Sequence, residues 1–293
     1  MHDKMVSLFL MTLAMAMQIS CGGSDSGKFS PAALEQIRNA SAISIVVEVE
    51  PKALYPFKAF VQKVLERVFS NLGMEVAKGP ATFPVFQVRI SADAIGKSYW
   101  VEDGGYETKS YSGAKVKGEI VLAQTDTDKI KKSFSGSINT AKDIFYAIDD
   151  PLDAPFNETL QQSDFLPVIT GLVDSCWGRE KALAVMAGMY DEALPRRDWR
   201  LAVLRSLEAF NDARVTAALR AILVRHVDAL ADPTMETAFD DCMVKLLEML
   251  VNRNDRESRP AVVQLMGKLL AHSHHGAWGD SRTYLQGIAS RLK

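Results

Sequence analysis

The chain lacks an excess of charge of either sign: 34 Lys and Arg stand against 36 Asp and Glu in 293 residues, a formal net charge of −2. With no basic surplus to neutralise phosphates, nucleic-acid binding is disfavoured on electrostatic grounds. Cysteine is scarce, at three residues, too few for a framework of several disulfides. The apolar run from Val6 to Met17, interrupted by Ser7 and Thr12, falls short of the ~20 residues that a permanent membrane-spanning helix needs. Catalytic signatures are missing as well: there is no Gly-x-Ser-x-Gly elbow and no His-Glu-x-x-His. A composition of 47% hydrophobic and 24% charged residues is nevertheless that of a globular chain able to bury a full core.

What is present begins with an address. The apolar run ends in Ile19-Ser20-Cys21, followed by the small and polar Gly22-Gly23-Ser24-Asp25-Ser26-Gly27. A short apolar stretch near the start of a chain reads as a cleaved export signal. The Ile-Ser-Cys ending resembles the lipobox of bacterial lipoproteins, in which the cysteine carries a diacylglycerol thioether and becomes the mature N-terminus. That resemblance implies a signal over 1–20, lipidation at Cys21, a flexible tether over 21–29 and a cell-envelope location with the folded part outside the cytoplasm. Gly22-x-x-x-x-Gly27-Lys28 mimics a phosphate-binding loop, but Phe29 replaces the hydroxyl residue and no strand precedes the glycines.

Ser30-Pro31 predicts a short helix reaching Asn39, a capping residue followed by proline at the first helical position. From Ile43 the period is two: Ile43, Ile45, Val47 and Val49 point one way, Ser44, Glu48 and Glu50 the other. Phe57, Phe60, Val61, Val64, Leu65, Val68 and Leu72 recur at helical spacing, and Gly73 is placed for a left-handed cap. Alternation returns in Phe86, Val88 and Ile90, and again in Val116, Gly118, Ile120 and Leu122, around a Glu102-Asp103-Gly104-Gly105 turn. This is a hairpin, and a third arm runs from Ile130 to Ile138. Strand, helix and three antiparallel strands make an α+β domain over 30–140, similar in outline to the α+β domains of several bacterial envelope lipoproteins.

Asp149-Asp150-Pro151 and Ala154-Pro155 mark a connector over 141–157. Helical patterns fill 158–293, with segments near 157–176, 179–193, 197–210, 212–229, 234–252, 258–273 and 280–291. Shifting Trp199–Leu223 by 43 positions pairs Val203 with Leu246, Leu207 with Leu250, Leu219 with Val262 and Ile222 with Leu265, and sets Asn211-Asp212 on Asn254-Asp255. Helix, Asn-Asp turn and helix at this period resembles HEAT repeats, with Asp212 in the turn and Arg214 after it. The resemblance implies an all-α HEAT-like solenoid; without repeats the same segment is a helical bundle.

Few residues invite chemistry. Ser112-x-x-Lys115 has the spacing of penicillin-interacting enzymes but falls in a predicted strand without its partner motifs. His272, His274 and His275 are the ligand-rich cluster, a weak metal candidate at a helix end, where imidazolium suits the C-terminal dipole. Cys176 and Cys242 fall on predicted helices, and spacing leaves open whether they pair. Tyr99, Trp100, Tyr106 and Tyr111 surround the hairpin turn and are the partner-binding candidates, aromatics being residues that anchor partners. The expectation is a lipid-anchored scaffold or adaptor that binds a protein through its helical repeat surface, with no cofactor. The competitors are a cell-envelope hydrolase with its site at the domain junction and an envelope-assembly factor.

Overall fold

Ser30 caps helix α1 (Pro31–Asn39), its hydroxyl accepting from the Ala33 N–H at 3.2 Å. The computed structural model describes residues 27–52, 54–95, 99–103, 106–110, 113–139, 153–191, 197–210, 212–230, 240–271 and 279–292. Strand β1 (Ala42–Glu50) follows, then α2 (Tyr55–Asn71), which buries Phe57, Val61, Val64, Leu65, Val68 and Phe69. Gly73 ends it at φ +79, the left-handed conformation that glycine adopts without steric cost.

Short β2 (Glu75–Val76) is followed by β3 (Val85–Ile95), the ribbon β4 (Tyr99–Asp103) and β5 (Tyr106–Ser110), then β6 (Gly113–Ala123) and β7 (Lys129–Asn139). The main sheet has the order β2-β1-β3-β6-β7. β3, β6 and β7 pair antiparallel, but β1 runs parallel to both β2 and β3. The expected first strand with three antiparallel strands is therefore corrected to a five-stranded mixed sheet. Hydropathy period gives a strand's faces, and it carries no information about its neighbours' direction.

Even-numbered residues of β3 and β6, among them Phe86, Val88, Ile90, Val116, Ile120 and Leu122, face the core with Ile43, Val47 and Val49 of β1. Helix α2 covers them. Gly118 leaves the room that the Phe134 ring of β7 fills, for a Cβ there would lie 2.4 Å from the ring. Phe134 in turn meets Phe165 edge-on, with centroids 5.0 Å apart.

Phe165 belongs to the helical half: α3 (Asp153–Gln162), α4 (Phe165–Trp177), α5 (Arg179–Asp191), α6 (Arg197–Glu208), α7 (Ala213–Ala229), α8 (Asp241–Asn252), a 3-10 turn at Arg256–Ser258, α9 (Arg259–Ala271) and α10 (Gly279–Arg291). The helix expected over 157–176 is two helices. Ser163 separates them, its hydroxyl donating to the Leu160 carbonyl at 2.6 Å and accepting from the Phe165 N–H at 3.1 Å. That break seats the chain on β7, where a Cβ on Gly136 would lie 2.5 Å from the Ser163 Cβ and 2.9 Å from the Thr159 carbonyl. The connector expected over 141–157 lies outside the described residues up to 152, and its last residues are already in α3.

The apolar positions paired by the 43-residue shift are buried in both copies, Leu207 and Leu250 completely, except that Met266, the counterpart of Leu223, is half-buried. They do not, however, build the separate HEAT-like solenoid expected from them. Helices α3 and α4 pack directly on β6 and β7, and the rings of Phe57 with Phe156, Phe60 with Trp199 and Phe69 with Trp177 join α2 to α3, α6 and α4. Each such pair adds about 0.5–1.5 kcal/mol beyond its buried area. One hydrophobic core runs from Ile37 to Leu292. A repeat pattern specifies which side of each helix is apolar, and it does not specify whether that side meets another repeat or a sheet.

Arginines clamp the two Asn-Asp turns. Arg179 makes a two-pronged contact with Asp174 at 3.0 and 2.7 Å, reaches Asp212 at 3.3 Å and lies 4.1 Å over the Phe210 ring. Arg253 donates to the Phe210 carbonyl at 2.9 Å, and Arg220 pairs with Asp255 and Glu257. Hydrogen bonds from the Arg214 side chain and backbone lower the Asp212 pKa to about 2. Burial raises the Asp255 pKa, but hydrogen bonds from Arg220 and Ser258 outweigh it and leave the carboxyl below its ordinary value. Both folded pKa values lie under the unfolded ones, so their stabilisation is complete above the unfolded carboxylate range and is lost as pH falls through the folded values. Urea unfolding should show stability declining between roughly pH 5 and pH 2, with a shallower decline in the Asp212→Asn, Asp255→Asn double variant. An unchanged slope in that variant would remove these turns from the acid response.

Candidate binding face

Helices cover one side of the sheet, and the odd-numbered residues of β3 and β6 with the even ones of β1 make up the other. Glu48, Glu50, Arg89, Asp93, Lys115, Lys117 and Ser133 are exposed there, and Val46, Val85, Gln87, Glu119, Val121 and Lys131 are half-buried. No element among the described residues lies over them.

Charges alternate across the middle of this face. Glu48 of β1 accepts from Arg89 of β3 at 2.8 Å, Arg89 stands opposite Glu119 of β6 in the ladder, and Glu119 pairs with Lys131 of β7. Exposed pairs of this kind contribute little to stability, so their effect is on what can dock: a flat apolar partner would strand them. They border a broad hollow of about 580 Å³ lined by Glu50, Ser91, Lys117 and Ser133. Glu48 and Glu50, which the period-two pattern of β1 puts on one side, are both exposed here.

The end of the face where β3 begins is different. Val46, Val85, Val121, Ala81 and Ala123 line a second hollow of about 330 Å³, with Phe83 at its rim, 48% exposed. Sequence reasoning missed these residues. Ala81-Thr82-Phe83-Pro84 has no period, and the hollow assembles from four strands and two loops. Its one legible signal is an aromatic residue beside a proline in a loop.

The chain enters the body at this same end. A Cβ on Gly27 would lie 2.2 Å from the Lys129 carbonyl, and the Ser30 N–H donates to the Asp128 carboxylate at 3.3 Å. Lys129 and Asp126 belong to the lining of the apolar hollow. The opposite end of the sheet carries the hairpin. β3 pairs with β6 from Val85↔Ala123 to Ile95↔Gly113, and the ribbon continues as β4 and β5, with Tyr99 opposite Ser110, Trp100 opposite Lys109 and Asp103 opposite Tyr106. β3 alone has 11 residues, so roughly 35 Å of strand separates the two ends.

Of the residues singled out from the sequence, Tyr99, Trp100 and Tyr106 are thus on one ribbon, while Tyr111 lies outside the described residues. Cys21 and the histidines 272, 274 and 275 lie outside them too. Cys176 and Cys242 are both buried and are not joined to each other by a disulfide. Burial pushes the Cys176 thiol up, against the opposing hydrogen bond from Ser175 and the charge of Arg38, which makes it a poor nucleophile. At the junction of the two halves, where the hydrolase reading put its site, Phe57 packs on Phe156, Phe134 on Phe165, and Gly136 against Ser163. No family model, no curated protein and no solved structure matches this chain.

Proposed function

We propose that this is a lipid-anchored protein of the bacterial cell envelope that works as a protein-binding scaffold or adaptor. The lipid is attached at Cys21, and the folded part stands outside the cytoplasm. The observation that carries the reading is the polarity of the sheet: the chain from Cys21 arrives at one end, beside Lys129, and the aromatic hairpin leaves from the other. A protein held to a membrane by its N-terminus presents that hairpin away from the lipid. Tyr99, Trp100 and Tyr106 are there with the alternating charges of Glu48, Arg89, Glu119 and Lys131 behind them. The mixture suits a polar protein surface that offers a few apolar pockets.

The binding surface moves accordingly from the helical repeats to the sheet and its ribbon, because the repeated helices spend their apolar faces on the shared core. A photo-crosslinking residue at Trp100 or at Arg89, in cells that make the protein, should trap one and the same partner. Position Val263, 45% exposed on α9, should trap none. Crosslinks from Val263 with silence at Trp100 and Arg89 would return the binding surface to the helices and refute this assignment.

A further inference from the structure

The apolar end of the open sheet face is the second feature at the point where the tether enters, and its position determines what it can meet. Five residues separate Cys21 from Gly27, so the six steps between them span at most about 22 Å when fully extended. Gly27 lies against Lys129, and Lys129 lines the hollow whose rim is Phe83. If Cys21 holds diacylglycerol in a bilayer, the Phe83 rim is therefore kept within a short leash of the headgroups. The two charged residues of its lining, Lys129 and Asp126, offset each other, so the hollow itself has no net charge to draw it to or from an anionic surface. Apart from Gln87 and Thr125, the rest of the lining is apolar: Phe83, exposed by 48%, with Val46, Val85, Val121, Ala81 and Ala123.

We infer that Phe83 and the apolar end of the sheet form a second, non-covalent contact with the membrane that bears the anchor, so that the sheet stands on the bilayer with its hairpin pointing outward. This rests on the lipid attachment proposed above. One aromatic side chain would hold a free protein only weakly on lipid, but a short tether converts the contact into an intramolecular one at high effective concentration. The contact fixes orientation, which a flexible tether by itself would leave open.

The test uses the acylated protein, purified from membranes and reconstituted in vesicles of phosphatidylethanolamine and phosphatidylglycerol containing a headgroup-proximal nitroxide lipid. Cys176 and Cys242 are buried and Cys21 is blocked by its lipid, so a fluorescent maleimide reports one introduced cysteine at a time. Ala81→Cys puts it beside Phe83, and Asp93→Cys puts it on the same face at the far end of β3; both positions are exposed. The nitroxide should quench the probe at 81 roughly twofold or more over that at 93, as expected for a group seated in the interfacial layer. Phe83→Gln should abolish the difference, and raising salt should not. Equal quenching, or a difference that survives Phe83→Gln, overturns the contact while vesicle flotation and the mass of Cys21 still report an intact anchor. An unmodified Cys21 overturns the anchor and this inference together.

Discussion

Trp199→Ala is expected to lower the unfolding free energy by about 3–5 kcal/mol, the usual cost of removing a fully enclosed indole. Trp199 is 1% exposed, and its ring meets Phe60 of α2 at 5.2 Å. Helix α6, which carries it, also packs on α3, α4, α5 and α8. The loss should therefore spread. Hydrogen exchange of β3 and β6 amides ought to accelerate together with that of α6, because the indole lies where the sheet layer and the helical half share a core. Faster exchange confined to the helices would mean that the halves unfold separately, and the single core would be wrong as an energetic statement.

Leu207→Ala and Leu250→Ala should each cost about 2–5 kcal/mol, and by similar amounts. They occupy matching places under the 43-residue shift, and both side chains are entirely buried, on the neighbouring helices α6 and α8. Residues on packed helices share surroundings that relax jointly, so the double variant should depart from the sum by a measurable coupling, on the order of 0.5–3 kcal/mol. Denaturant unfolding of the two single variants and the double one measures all three quantities. A nearly silent substitution at either site would contradict the shared register.

Local structure was the legible part of this sequence. The Ser30 cap, the Gly73 stop, the buried side of α2 and the alternation of β1 and β3 all follow from rules that act within a few residues. Phe69 escaped the helical pattern drawn for α2 even though it is wholly buried, because the helix is enclosed on more than one side, by Phe86 of β3 and Trp177 of α4. Relations between elements were not legible. The parallel partners of β1 are set by where α2 returns the chain, and the two-residue β2 is too short to leave a period. The hairpin was visible in its turn, but its register shifts by one residue between β3–β6 and β4–β5, so alternation read along β3 does not carry into β4. Of the candidate face, the aromatics were visible from their clustering. The charge ladder and the Phe83 hollow were not, since each is drawn from strands far apart in sequence.

The orientation of the molecule, its hairpin as the outward arm and Phe83 as the inward one all depend on what happens at Cys21. Mass spectrometry of the mature protein isolated from its own membranes measures this most directly. The account predicts an N-terminal peptide that begins at Cys21 and carries the mass of a diacylglyceryl thioether. A mature chain that begins elsewhere, or that retains residues 1–20 with Cys21 unmodified, would contradict it.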